Sequence, residues 1–89
     1  MAKRSAPKKL GKKLRQIRTR AGLSQTEMVA ALKYKATPLR ASQISTFEHG
    51  KREPPLMLLL AYARFARVPM ETLVDDKLDL PPQVAAKAL

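Results

Sequence analysis

Residues 22–28 read Gly-Leu-Ser-Gln-Thr-Glu-Met, and this stretch decides how the chain folds. Ser24 followed three residues later by Glu27 is the pattern of a capping box, in which each side chain bonds the other residue's backbone N–H at the start of a helix. Leu23 before the cap and Met28 after it match the hydrophobic staple that fixes the entry of the chain. The stretch therefore predicts a helix that begins directly after the serine.

A first helix is predicted upstream of this stretch. Leu10, Leu14 and Ile17 are spaced four and three residues apart, which draws one apolar stripe along a helix. Gly22 can adopt the left-handed conformation that ends such a helix. Residues 1–9 are basic and contain almost no apolar side chain, so we expect them to form a flexible basic arm.

Three more helices are expected downstream. Thr37 followed by Pro38 is typical of a helix start, with the threonine as cap and the proline at the first helical position, and this third helix should end at Gly50. The paired prolines that follow open a fourth helix to about Arg67, and a short fifth helix covers residues 70–74. Neither an internal repeat nor strand-like alternation is visible, so the predicted fold class is all-α with five helices.

Charge points to an anionic partner. The chain has 89 residues, room for one domain, and a net charge of +11. Residues 1–52 hold fourteen of the 18 Lys and Arg and only two of the seven Asp and Glu. Bases that merely keep a protein in solution would be scattered evenly, whereas this asymmetry favours nucleic acid as the partner.

Several function classes are excluded or disfavoured by the composition. There is no cysteine and a single histidine, so the usual metal ligands and a thiol nucleophile are missing, and we expect no metal and no cofactor. No paired acids accompany a nucleophile and a base, and no phosphate-binding glycine loop is present, so an enzyme is the weakest option. The longest apolar stretch, residues 56–63, is far shorter than a bilayer span, and no signal peptide is apparent. We therefore expect no membrane association and a cytoplasmic protein.

Two stretches in this order resemble the Cro and CI-like (XRE-type) phage-repressor family of helix-turn-helix regulators. They are residues 22–25 (Gly-Leu-Ser-Gln) and residues 44–51 (Ile-Ser-Thr-Phe-Glu-His-Gly-Lys). The resemblance covers about residues 8–75. It implies a compact five-helix, lambda-repressor-like DNA-binding domain over residues 10–76, which is preceded by the basic arm and followed by a short tail, residues 77–89. The implied partner is double-stranded DNA.

The resemblance also implies roles for individual side chains. Gln25 matches the residue that touches backbone phosphate at the start of the second helix, and Lys51 and Arg52 match phosphate contacts after the third. The side chains that match base-reading positions on the third helix are Arg40, Ala41, Ser42, Ser45 and Thr46, and Gln43 beside them is expected to contact DNA as well. Lys35, in the basic loop, is a further expected DNA contact, and Tyr34 either contacts phosphate or covers the loop. The alternative for the phosphate contacts is an ordinary structural or solvated role.

One further pair and one departure complete the comparison with that family. Arg18 and Glu48 look like the family's bridge between the first and third helices, the alternative being two independent solvated charges. Between Leu32 and Ile44 the usual turn of about three to four residues is replaced by a longer basic loop. The side chains that meet the bases therefore depend on where within residues 38–41 the third helix begins.

The fourth helix carries more apolar residues than a core-facing stripe needs. The expected stripe consists of Leu56, Leu59, Leu60, Ala63 and Ala66. A second group lies beside it: Met57, Leu58, Ala61 and Phe65. We expect this second group to form an exposed apolar face and the interface of a homodimer. The alternative is that the tail folds back over this face through Leu80, Val84 and Leu89.

Three functions are weighed against each other. The leading hypothesis is a sequence-specific transcriptional regulator, a repressor, that binds a roughly palindromic operator as a homodimer. The second is an antitoxin-type DNA-binding protein that also neutralises a partner protein through its less basic C-terminal half, with residues 78–89 as the neutralising segment. The third is a nucleoid-type protein that binds DNA through phosphates alone, without sequence preference.

Overall fold

Five helices form the part of the chain that the structure, a computed structural model, describes, residues 7–81. They are α1 (Leu10–Arg20), α2 (Gln25–Leu32), α3 (Ala41–Glu48), α4 (Leu56–Ala66) and α5 (Met70–Val74). No β-strand occurs in residues 7–81, so the predicted all-α fold with five helices is confirmed.

The start of α1 is capped by a residue from the other end of the domain. The Asp76 carboxylate accepts hydrogen bonds from the backbone N–H groups of Lys8 (2.8 Å) and Lys9 (3.0 Å). These bonds, that of Lys9 first, hold the pKa of Asp76 below its usual value. Asp76 thus places a negative charge at the positive end of a helix whose own first turn contains no acid. Residues 1–6 of the expected basic arm lie outside the described residues.

A buried lysine ties α1 to α5. The Lys13 side chain is buried, and its Nζ donates to the carbonyl oxygens of Thr72 (2.7 Å) and Asp75 (2.9 Å). These carbonyls lie at the C-terminal end of α5, where a helix leaves its last oxygens without backbone partners. Lys13 therefore serves the fold, although the sequence analysis did not distinguish it from the surrounding solvated bases.

The chain that follows α5 packs against α1. Leu80 is buried in the core, and the Arg20 guanidinium donates to the carbonyl oxygen of Pro81 at 3.0 Å. Val84 and Leu89, which the sequence analysis considered as a cover for α4, lie outside the described residues.

A glycine lies where α1 meets the end of α3. α3 packs against both α1 and α2, while α4 packs against α2 and α5. A Cβ atom at Gly11 in α1 would lie 2.7 Å from the carbonyl oxygen of Glu48 and 2.9 Å from that of Phe47. Glycine inside a helix normally costs about 0.5–1 kcal/mol relative to alanine. Here it allows α1 to touch the end of α3.

α4 turns a different face to the core from the one predicted. Its buried residues are Leu58, Leu59, Tyr62, Ala63 and Ala66. Leu58 is fully buried, so the expectation that it lies on an exposed face is wrong; Leu56, expected in the core, is 67% exposed. The physical reason is that α4 is apolar on every side and has one charged side chain, Arg64, to fix its rotation. Arg64 is exposed and lies opposite the buried face, as 100° per residue requires.

Candidate nucleic-acid interface

The capping box at the start of α2 is confirmed. The Ser24 hydroxyl accepts from the backbone N–H of Glu27 at 3.1 Å, and the Glu27 carboxylate accepts from that of Ser24 at 2.8 Å. This second bond is the main cause that lowers the pKa of Glu27. The first N–H groups of a helix have no intrahelical acceptor, so those of Gln25 and Thr26 are left for an external one.

Glu48 joins three helices at one point. Arg18 in α1 donates to the Glu48 carboxylate through Nε (2.6 Å) and Nη2 (3.0 Å), a two-pronged ion pair, and through Nη1 to the carbonyl oxygen of Leu23 (3.0 Å). Gln25, the first residue of α2, donates to the same carboxylate at 3.4 Å. The structure therefore brings Arg18 and Glu48 together and links the start of α2 to the end of α3.

This ion pair is largely removed from water. The side chain of Glu48 is 2% exposed and that of Arg18 is 14% exposed. The hydrogen bond from Arg18 to Glu48 is the largest cause of a raised pKa at Arg18. A charge in such surroundings is stable only with its partner, because the desolvation of either group alone is expensive.

Tyr62 approaches this pair from the core side. Burial raises the pKa of its hydroxyl, and the negative charge of Glu48 adds to that rise. Within residues 7–81 the hydroxyl has no hydrogen-bond partner. Tyr62 is therefore a packing residue behind the ion pair, one to which the sequence analysis gave no place in the core.

The loop before α3 is longer than a conventional turn, as predicted, and α3 begins at the last of the positions 38–41 that the sequence left open, not at Pro38. Residues 33–40 separate α2 from α3, which begins at Ala41. The Gln43 side chain accepts from the backbone N–H of Arg40 at 2.8 Å and so fixes Arg40 as the cap. Because an arginine side chain has no acceptor atom, only this return half of a capping box can form.

One face of α3 is left for a partner. Ile44, Phe47 and Glu48 are buried, and the opposite side of the helix carries short polar groups. The predicted base-reading residues occupy this side and both its edges: Arg40, Ser42 and Gln43 are exposed, and Ala41, Ser45 and Thr46 are half-buried.

Two residues on this face have hydrogen bonds that limit what they offer. The Thr46 hydroxyl donates to the carbonyl oxygen of Ser42 at 3.0 Å, so it presents an acceptor and a methyl group to a partner. His49 is exposed, and its Nδ1 donates to the carbonyl oxygen of Ser45 at 2.7 Å. The sequence analysis gave His49 no role at the interface, although its distance of seven residues from Ser42 places both on one helix face.

The remaining predicted contacts fall in two places. Lys51 and Arg52 are exposed directly after α3, beyond Gly50, whose φ of 73° turns the chain away from the helix. Tyr34 and Lys35 lie in the loop between α2 and α3 and line a groove against α4. Tyr34 and Lys35 thus lie beside α4, whereas Lys51 and Arg52 follow the end of α3.

A helix whose start is capped, followed by a second helix with an exposed polar face that is pinned to the first, defines a helix-turn-helix DNA-binding domain. A family model described as "Helix-turn-helix domain" matches residues 9–76, and the chain belongs to this family. Domains of this family are typically not enzymes. No curated protein and no solved structure gave a significant match. Among the described residues, none of the helices has the length and apolar character needed to cross a bilayer.

Proposed function

We propose that this protein is a sequence-specific transcriptional regulator, a repressor, that binds double-stranded DNA by placing α3 in the major groove. The observation that carries the proposal is the contact of Glu48 with both Arg18 and Gln25. It holds the polar face of α3 at a fixed angle to the start of α2. A reader of base edges needs this rigidity, because hydrogen bonds to bases depend on tenths of an ångström.

Phosphate binding is proposed for both sides of this face. The free backbone N–H groups of Gln25 and Thr26 lie at the positive end of α2, which favours an anion. Lys51 and Arg52 supply full charges at the far end of α3. Contacts of this kind fix the register of the domain on DNA without reading its sequence.

Base reading is proposed for the short polar side chains in between. Ser42 and Ser45 have hydroxyl groups that donate or accept, which suits several base edges. His49, exposed beside them, extends the same surface toward Lys51. Repression follows from such binding because a domain seated in the groove excludes other proteins from the same DNA.

The homodimer stays a prediction, but the α4 face expected to form its interface is incomplete and is proposed for a different partner. Leu58 no longer belongs to it, since that side chain lies in the core. Met57 is 56% exposed, while Ala61 and Phe65 are half-buried. Whether two copies act together is visible in the DNA itself, because a two-fold dimer selects two inverted half-sites.

Selection of bound duplexes from a random pool tests the proposal. We expect a sharp motif, with affinity at least about a thousandfold above that for random DNA. Affinity should also fall linearly with salt on logarithmic axes, with a slope of about 0.9 per phosphate contacted. Binding without any enriched motif would contradict the proposal and favour the nucleoid-type alternative.

Two variants separate the two kinds of contact. Ser45→Ala should change which sequences are preferred, with a shift of about 1–3 kcal/mol at one base position. Lys51→Ala should weaken binding to all DNA sequences alike and lower the slope of log affinity against log salt concentration by about 1. Lys77→Ala removes an exposed base that lies after α5 and should change neither property.

A further inference from the structure

An apolar groove with a basic rim lies between α4 and the chain that follows α2. It encloses about 540 Å³. One wall is the outer side of α4, formed by Met57, Leu60, Ala61 and Phe65. Three bases line it as well: Lys33, Lys35 and Arg64. Within residues 7–81, no acidic side chain lines the groove.

The shape of the groove suits a helix. Met57, Ala61 and Phe65 follow each other at four-residue intervals on one side of α4, so they form a ridge inclined at about 26° to its axis. Ala61 is the small member of the three and leaves a hole between two large side chains. Ala31 and Ala36 are the small residues of the remaining lining. A bulky apolar side chain from a second helix can enter at this hole.

The wall of the groove is incompletely covered. Met57 is 56% exposed, although it is a large apolar side chain. A partner that covers this exposed apolar surface stabilises the complex by about 25 cal/mol for each Å² removed from water. The surrounding bases would lose water in that complex and need anionic partners.

We propose that this groove docks an acidic amphipathic helix of another protein. The apolar face of that helix covers Met57, Ala61 and Phe65. Carboxylates beside that face meet Lys33 and Arg64 and replace the water that these bases lose. The proposal goes beyond DNA binding and does not depend on it.

Three other occupants fit the groove less well. A second copy in a self-complementary contact would bring the same bases toward each other, since both copies contribute the same surface. Residues 82–89 contain no Asp or Glu and so cannot neutralise the rim. DNA offers phosphates for the bases but no apolar surface for Met57.

A pair of synthetic peptides tests the charge requirement. The first is a helical peptide with leucines at every third or fourth position and glutamates beside them, and the second has lysines in place of the glutamates. Each carries a fluorescent label and is titrated with the full 89-residue chain at moderate salt. We expect binding of the acidic peptide and none of the basic one.

Two variants, each with a matched control, test the location. Met57→Ser and Arg64→Ala should each weaken the acidic peptide by about tenfold, as expected for contacts worth about 1.4 kcal/mol. Leu56→Ser and Lys12→Ala are the controls, because both side chains are exposed and lie outside the groove. Circular dichroism establishes that all four variants are folded.

Several results would overturn the proposal. Failure of the acidic peptide to bind is one, and equal weakening by the control variants is another. Sedimentation that shows a wild-type dimer, which Met57→Ser dissociates, would assign the groove to a second copy. If Arg64→Ala weakens the binding of duplex DNA as much as it weakens the binding of the peptide, the groove is part of the protein's DNA-binding surface instead.

Discussion

Two neighbouring regions of the domain, α3 and α4, are held in place by different kinds of contact. α3 is fixed by the packing of Ile44 and Phe47 and, in addition, by the polar contacts of Glu48 with Arg18 and Gln25. α4 is fixed by packing: Leu58 and Tyr62 are fully buried, and within residues 7–81 the Tyr62 hydroxyl has no hydrogen-bond partner. The comparison teaches that the orientation of α3 depends on single polar interactions as well as on filled volume, whereas that of α4 depends on filled volume.

The largest effect should come from a charge placed in the packed side of α4. Leu58→Glu buries a carboxylate without a partner and should cost about 4 kcal/mol or more, enough to unfold a small domain. Met57→Glu, one residue earlier on the exposed side, should leave the free energy of unfolding nearly unchanged. Urea denaturation measures both. A folded, cooperative Leu58→Glu variant would mean that α4 is rotated from the position described.

The next largest effect concerns the polar attachment of α3. Glu48→Ala strands the Arg18 guanidinium in its pocket and should cost about 3 kcal/mol, the lower end of the range for a broken buried pair, because Arg18 keeps some exposure. Glu48→Gln keeps an acceptor for Arg18 and should lie in between. Glu71→Ala removes an exposed acid from α5 as the control. Equal melting temperatures for Glu48→Ala and wild type would show that α3 is held by packing, as α4 is.

A smaller effect is expected where α3 touches α1. Gly11→Ala places a methyl group against two carbonyl oxygens and should cost about 1–3 kcal/mol through displaced backbone. Lys12→Ala, at the adjacent exposed position, should be close to neutral. Chemical denaturation measures the free energy of unfolding of both variants. If Gly11→Ala instead gains about 1 kcal/mol, helix propensity outweighs crowding and the two helices are further apart.

The smallest effect is on the pH dependence of the helix starts. The pKa values of Glu27 and Asp76 are both lowered in the folded chain, from the ordinary 4.5 and 3.8. Their contribution to stability is therefore complete above these ordinary values and is lost as the pH falls through the lower, folded-state values.

The melting temperature should accordingly fall as the pH drops below about 4.5. The double variant Glu27→Gln with Asp76→Asn should show a flatter fall, because neither group can then titrate. Calorimetry at a series of pH values provides the comparison. If the melting temperature of the double variant falls with decreasing pH as steeply as that of the wild type, these two carboxylates do not cause the loss of stability in acid.

Polar contacts within a short stretch of chain could be predicted from the sequence more readily than apolar packing. The capping box of Ser24 and Glu27 has a fixed spacing and a fixed chemistry, so it could be located directly. The Thr37-Pro38 pattern has equally good local chemistry, yet the bond between Gln43 and the backbone of Arg40 defines the actual start of α3. Thr37-Pro38 and Arg40 with Gln43 are both possible helix starts, and their spacing in the sequence does not show which one is used.

Non-local contacts were out of reach for a different reason. Asp76 caps α1, and Lys13 binds the end of α5, across nearly the whole domain. The residues next to Asp76 and Lys13 in the sequence give no indication of these distant partners. The rotation of α4 was missed because its apolar residues match several stripes, and Arg64, the residue that distinguishes them, was not weighed.

We propose that the start of α2 and the outer face of α3 form one rigid surface that binds DNA. Mapping of backbone amide shifts in ¹⁵N-labelled protein, during titration with a selected duplex, tests it most directly. We predict that the shifts concentrate at Gln25, Thr26, Ser42, Ser45 and Lys51 and leave Met57 and Leu60 unmoved. Shifts that gather on α4, or that spread evenly over the exposed bases of α1, would contradict the account.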